Sequence, residues 1–273
     1  MTTGDLLAKL RATIKDPHTL IHKLNLSRIP LCLPPKTESP SLYLLGLSRY
    51  AEIFYSIEAS WLSIIGDPVD WISQDTTTTT KENNPSAPLN ATRIQNMLRM
   101  LYTPELPRTK ALEDDLRFLS ALCPPDTPET NVLLQSLKDR DTGQRIGQEI
   151  RQRIQDKPHI LVAYVWILYS ALLYGGRDIR ALLLKAGPEF WGLSDAEISS
   201  CRRASCPGLS FWHVDDGGGE VKARLRARLA DVERVLSAQE QQDILDEAGR
   251  VFGLLEMLTR SLDEDVELLN ASV

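Results

Sequence analysis

From Ile160 to Tyr174 the chain reads I-L-V-A-Y-V-W-I-L-Y-S-A-L-L-Y, with no charge and no polar face. A helix that is apolar on every side must be walled in by other elements, so this stretch predicts a central, buried helix. The uncharged run falls short of the ~20 residues that a membrane span requires. Pro158 precedes it, a position that suits a helix start. Gly175 and Gly176 then interrupt it, and Arg177, Asp178 and Arg180 follow at once. Two glycines inside a helix cost about 1 kcal/mol each relative to alanine. The pair therefore reads equally as a C-cap or as a place where the backbone kinks or lets something flat lie against it.

On either side the pattern is helical and punctuated by proline. Leu6, Leu7, Leu10 and Ile14 share one face of a predicted helix over 5–15. Pro17 is expected to disturb that helix before the pattern resumes from His18 to Leu26. Pro30, Pro34 and Pro35 make 29–40 an extended connector, and 41–65 follows as a long helix in which Gly46 marks a place for close backbone approach. Residues 74–89 are polar and threonine-rich, a composition that cannot bury a core, and read as a disordered, dispensable insertion. Helices are predicted over 91–101 and 108–122, and an amphipathic stretch over 129–155 with a break near 141–143. Ser194 with Glu197, and Ser237 with Glu240, have the capping-box spacing. The last two helices are expected over 220–236 and 237–269. No run alternates with period two for long enough to make a sheet. The fold class is all-α, in one domain spanning 1–273.

Composition narrows the function. A net charge of −6, with no sustained basic stripe, argues against a nucleic-acid partner. The four cysteines, at 32, 123, 201 and 206, lack paired metal-ligand spacing, and Cys201 and Cys206 fit no redox or zinc motif. With no apolar run near residue 1, a reducing, cytoplasmic location and no transmembrane segment are expected. The central helix offers no carboxylate or histidine between Ile160 and Tyr174, which disfavours a di-iron site.

Three segments together carry a resemblance. They are His18 and Thr19 with the following R-I-P-L-C-L-P-P, the run from His159 to Arg177, and F-W-H-V-D-D with the subsequent K-A-R-L-R-A-R-L. In order and spacing they resemble the heme oxygenase superfamily, in the form of fungal heme-oxygenase-like proteins. The resemblance implies one multi-helical domain holding heme between a proximal and a distal helix, the central helix being the distal one. It places His18 as the proximal ligand to heme iron, a role suited to a neutral imidazole. It places Gly175 and Gly176 as the distal pair that leaves room for the porphyrin. Lys222 and Arg226, one turn apart on one helix face, match positions that meet the heme propionates, and Arg11 matches a similar position on the first helix. Taken without the resemblance, a lone histidine near a helix start reads as a solvated or capping residue, and the basic face as an ordinary charged surface.

Two departures bear on the chemistry. Leu172 stands where the best-known members carry a distal aspartate that orders water, so Tyr164, Tyr169 and Tyr174 become the nearby polar candidates. Pro17 precedes the histidine where the family's helix runs on, and His22, one turn further, is an alternative ligand. Three functions are open: O2-dependent cleavage of heme with an electron-donating reductase, a heme-independent enzyme cyclising or tailoring an apolar small molecule in specialised metabolism, or a non-catalytic heme or ligand binder.

Overall fold

The computed structural model describes residues 6–68, 89–123, 142–201 and 203–271, and the threonine-rich segment lies outside them apart from Leu89, which opens a helix. Among the described residues there are helices and turns but no strands. The helices are α1 (Leu6–Arg28), α2 (Ser41–Ile65), α3 (Leu89–Leu101), α4 (Thr109–Leu122) and α5 (Thr142–Asp156). The central α6 (Pro158–Ala186) follows, then the short α7 (Asp195–Ser200), α8 (Gly219–Val235) and α9 (Ala238–Ala271).

α6 is the core. Every residue from Ile160 to Tyr169 is buried, and the helix is enclosed by α2, α5 and α9. It is 29 residues long and apolar enough by length and composition to cross a membrane, but 72% of its apolar window is buried within the chain. Its middle departs from α geometry, with a π turn over Val165–Tyr169. The helix then runs on through Gly175 and Gly176 to Leu183, so the glycine pair is not a C-cap.

Buried polar ties fasten the other helices around it. Glu247 of α9, 1% exposed, accepts from Arg153 of α5 and from the Tyr164 hydroxyl of α6 at 2.5 Å. Glu58 of α2 accepts from the Tyr169 hydroxyl at 2.7 Å and from the backbone N–H groups of Arg108 and Thr109, which completes the start of α4. Gly147 lets α5 lie close on α2: an added Cβ would sit 3.0 Å from the Glu52 carbonyl oxygen.

α1 is a single helix with Pro17 inside it, not two pieces. Proline cannot donate to the Thr13 carbonyl, and an interior proline costs about 3 kcal/mol in a helix. α1 is held at both ends. The Leu6 N–H donates to Glu233 of α8 at 3.1 Å, and Arg28 pairs with Asp263 of α9. Both capping boxes form, the first opening α7 and the second α9. Cys201 and Cys206, which carried no recognisable motif, are joined as a disulfide with their Cα atoms 5.0 Å apart. The loop they close is tied to α6 by the Arg180 guanidinium, which donates to the carbonyls of Cys201 and Ala204.

Candidate functional site

A cleft of about 1320 Å³ separates α1 from the second half of α6. α2 and α9 also contribute to it, through residues such as Gly46, Phe54, Phe252 and Leu255. Gly46 widens this wall rather than admitting a close neighbour, since an added Cβ would meet only Leu262 Cδ1, at 4.0 Å.

α1 lines the cleft with Arg11, His18 and His22. The two imidazoles lie one turn apart and parallel, with centroids separated by 5.9 Å, and Phe252 stands edge-on to His18 at 6.2 Å. No hydrogen bond to either ring occurs among the described residues. Both nitrogens of each ring are therefore uncommitted to protein, and either ring is able to ligate a metal.

From α6 come Trp166, Ser170, Leu172, Tyr174 and Gly175. The two glycines differ in role. An added Cβ on Gly175 would meet nothing within 4 Å, so this position keeps the wall open. Gly176 does not line the cleft; a Cβ there would lie 3.3 Å from Leu172 and 3.4 Å from Trp212, so its bareness admits the indole. Trp212 is anchored from below, its Nε1 donating to the Tyr43 hydroxyl at 2.9 Å. Asp115 of α4 fixes the same loop by accepting from the backbone N–H groups of Ser210 (2.9 Å) and Phe211 (2.7 Å). Burial pushes the Asp115 carboxyl up to about 6, against these hydrogen bonds, which favour its charged form.

The rim is cationic. Arg226 lines the cleft with its guanidinium carbon 5.3 Å from the Tyr174 ring, and Lys222 Nζ stands 4.9 Å from the same ring without lining the cleft itself. Arg11 lies 5.9 Å from the Trp166 ring. Arg11, His18, Leu172, Gly175 and Arg226 are thus brought together, while Gly176 and Lys222 support them from behind and beside.

Of the three tyrosines proposed to replace a distal carboxylate, Tyr164 and Tyr169 face the wrong way. Their hydroxyls are spent on Glu247 and Glu58, neither lines the cleft, and burial beside those carboxylates raises both phenols above the ordinary tyrosine range. Only Tyr174 of the three reaches the cleft. Trp166 and Ser170 were not singled out from sequence, where an apolar run hides which residues face a cavity.

Residues 87–261 match the family model described as heme oxygenase. The chain belongs to the heme oxygenase family. The match takes in Leu172, both glycines, Lys222 and Arg226, and begins beyond Arg11 and His18. A curated relative, the heme-binding protein HMX1 of Saccharomyces cerevisiae, is 27% identical over 226 residues, covering 82% of this chain. The alignment spans 62% of that relative's length. Among solved structures, heme oxygenase-1 of the cyanobacterium Synechocystis sp. PCC 6803, in complex with heme, superposes with a TM-score of 0.64 at 18% identity, covering 98% of this chain and 97% of that one. Heme oxygenase from Leptospira interrogans gives 0.61 at 19% identity over 94% and 98% of the two chains. At these identities the structural likeness concerns the fold.

Proposed function

We propose that this chain binds heme in the cleft between α1 and α6 and opens the porphyrin with O2 and electrons from a reductase. The carrying observation is that one cleft presents an uncommitted histidine, a glycine with open space over it and two arginines at its margin. That set fits a flat apolar macrocycle bearing a metal and carboxylates. Bound heme supplies the iron that takes up O2 and the porphyrin that is cleaved. His18 ligates through a neutral ring nitrogen. Arg226 and Arg11 grip carboxylates, which guanidinium groups bind with paired hydrogen bonds. Leu172, Ile167 and Phe252 keep water from the macrocycle faces.

A second reading, heme binding without turnover, is favoured by Leu172, which is 3% exposed and presents an apolar side chain in the cleft wall. Hemin titration followed by Soret absorbance tests both. A saturable one-to-one shift is expected, altered in His18→Ala and retained in His22→Ala. The reverse pattern assigns the ligand to His22. Absence of any shift removes heme from the account and leaves the cleft to another apolar small molecule.

A further inference from the structure

Two polar atoms at the cleft wall have no partner. Trp166 Nε1 and Ser170 Oγ are both buried without a hydrogen bond, and both residues line the cleft. Trp166 is 4% exposed. A buried donor left unmade costs about 1–3 kcal/mol, and native proteins satisfy nearly all of them. Two on one helix, four residues apart and beside the same cleft, call for a common cause.

A hydroxyl without a partner is not the habit of this chain's helices. Helical hydroxyls elsewhere in this chain donate to a carbonyl three or four residues back, as Ser48, Ser60, Thr259 and Ser261 do. Ser170 does not. It directly follows the π turn, and its hydroxyl is left without a partner there. π turns within helices occur frequently at functional sites. Here the turn ends at a hydroxyl beside a cleft. The Arg11 guanidinium over the Trp166 ring draws on its π electrons and strengthens the indole N–H as a donor.

We propose that Trp166 Nε1 and Ser170 Oγ together hold an ordered water beside the ligand bound in the cleft, as positioning residues that supply the polar contact Leu172 cannot. The indole only donates, whereas the hydroxyl both donates and accepts. A water accepting from the indole therefore keeps its own O–H groups for the ligand and for Ser170. This inference rests on the heme reading above.

The test compares the hemin-loaded wild type with Ser170→Ala, Trp166→Phe and Ser170→Thr. The readouts are hemin affinity, the pH midpoint of the ferric absorbance change, and the melting temperature of the heme-free proteins. Expected are hemin affinities within about threefold of wild type. The midpoint moves by roughly half a pH unit or more in Ser170→Ala and Trp166→Phe, and is restored in Ser170→Thr. Heme-free Ser170→Ala melts no lower than wild type, because its hydroxyl makes no bond in that state. Unmoved midpoints in both variants overturn the proposal. So does a lowered melting temperature in heme-free Ser170→Ala, which would mark the hydroxyl as a structural donor. Failure of the wild type to bind hemin at all is read in the first step; it overturns the heme reading and this proposal with it.

Discussion

Leu172 has two neighbours that decide what a substitution there does: the cleft, which it lines, and Gly176, where an added Cβ would lie 3.3 Å from Leu172 Cδ1. A carboxylate at 172 gains a view of the ligand but loses packing against Gly176. Leu172→Asp is therefore expected to bind hemin, to lose about 2–5 kcal/mol of stability to the missing packing, and to raise its carboxyl pKa through burial. With a reductase supplied, biliverdin formation is expected to exceed that of the wild type, because an ordered proton donor then stands in the wall. The comparison needs urea unfolding beside the turnover assay, so that lost protein is not mistaken for lost chemistry. Hemin-bound Leu172→Asp with turnover no higher than wild type would show that the proton is already supplied from elsewhere. At this scale the sequence was informative where a residue type is unusual: a glycine pair mid-run, a histidine facing a second histidine, a leucine in place of an acid. It was silent on Trp166 and Ser170, whose significance lies in buried polar atoms left without a partner beside the cleft.

Helix existence was legible from periodicity, proline placement and capping boxes, and most predicted ends fall within a residue or two of those in the structure. What failed was context. Pro17 was expected to disturb α1, yet the helix continues through it, held at its two ends by Glu233 and Asp263 from other elements. The Cys201–Cys206 bridge likewise depends on a loop path that spacing alone does not reveal. The loop that follows the bridge carries Phe211 and Trp212 to the cleft, and Asp115 sets its position from α4. Because the folded carboxyl is raised to about 6 while an unfolded aspartate titrates near 3.9, the folded state holds its proton over that interval. Stability from this group is accordingly highest below about pH 4, falls as pH rises to about 6 and is level above it. In urea titrations from pH 4 to 7, the wild type should lose ground against Asp115→Asn as pH rises. The change between the plateaus is on the order of 3 kcal/mol. A difference independent of pH would mean that Asp115 titrates normally in the fold.

At the scale of the whole molecule the cleft is a gap between two differently supported walls. α6 is enclosed by α2, α5 and α9 and tied by Glu58 and Glu247, whereas α1 contacts the body chiefly along α9. A ligand joined to His18 on one side and resting on Gly175 on the other would bridge them, adding contacts that the unfolded chain lacks. Binding to the native state alone stabilises it by about 2.7 kcal/mol when free ligand is at 100 times Kd. For a chain of 273 residues, each kcal/mol moves the melting temperature by roughly 2–4 °C. Hemin is therefore expected to raise the melting temperature by roughly 5–10 °C, with a shift that grows as the logarithm of free hemin. His18→Ala should need more hemin for the same shift, because the bond between ligand and α1 is gone while the α6 wall is intact. Measured calorimetrically over a hemin series, parallel curves for wild type and variant, displaced along the concentration axis, support a ligand that spans both walls. Coincident curves would show that hemin stabilises the protein without engaging α1 through His18, and a Soret change with no thermal shift would reveal association that does not distinguish the folded chain from the unfolded one.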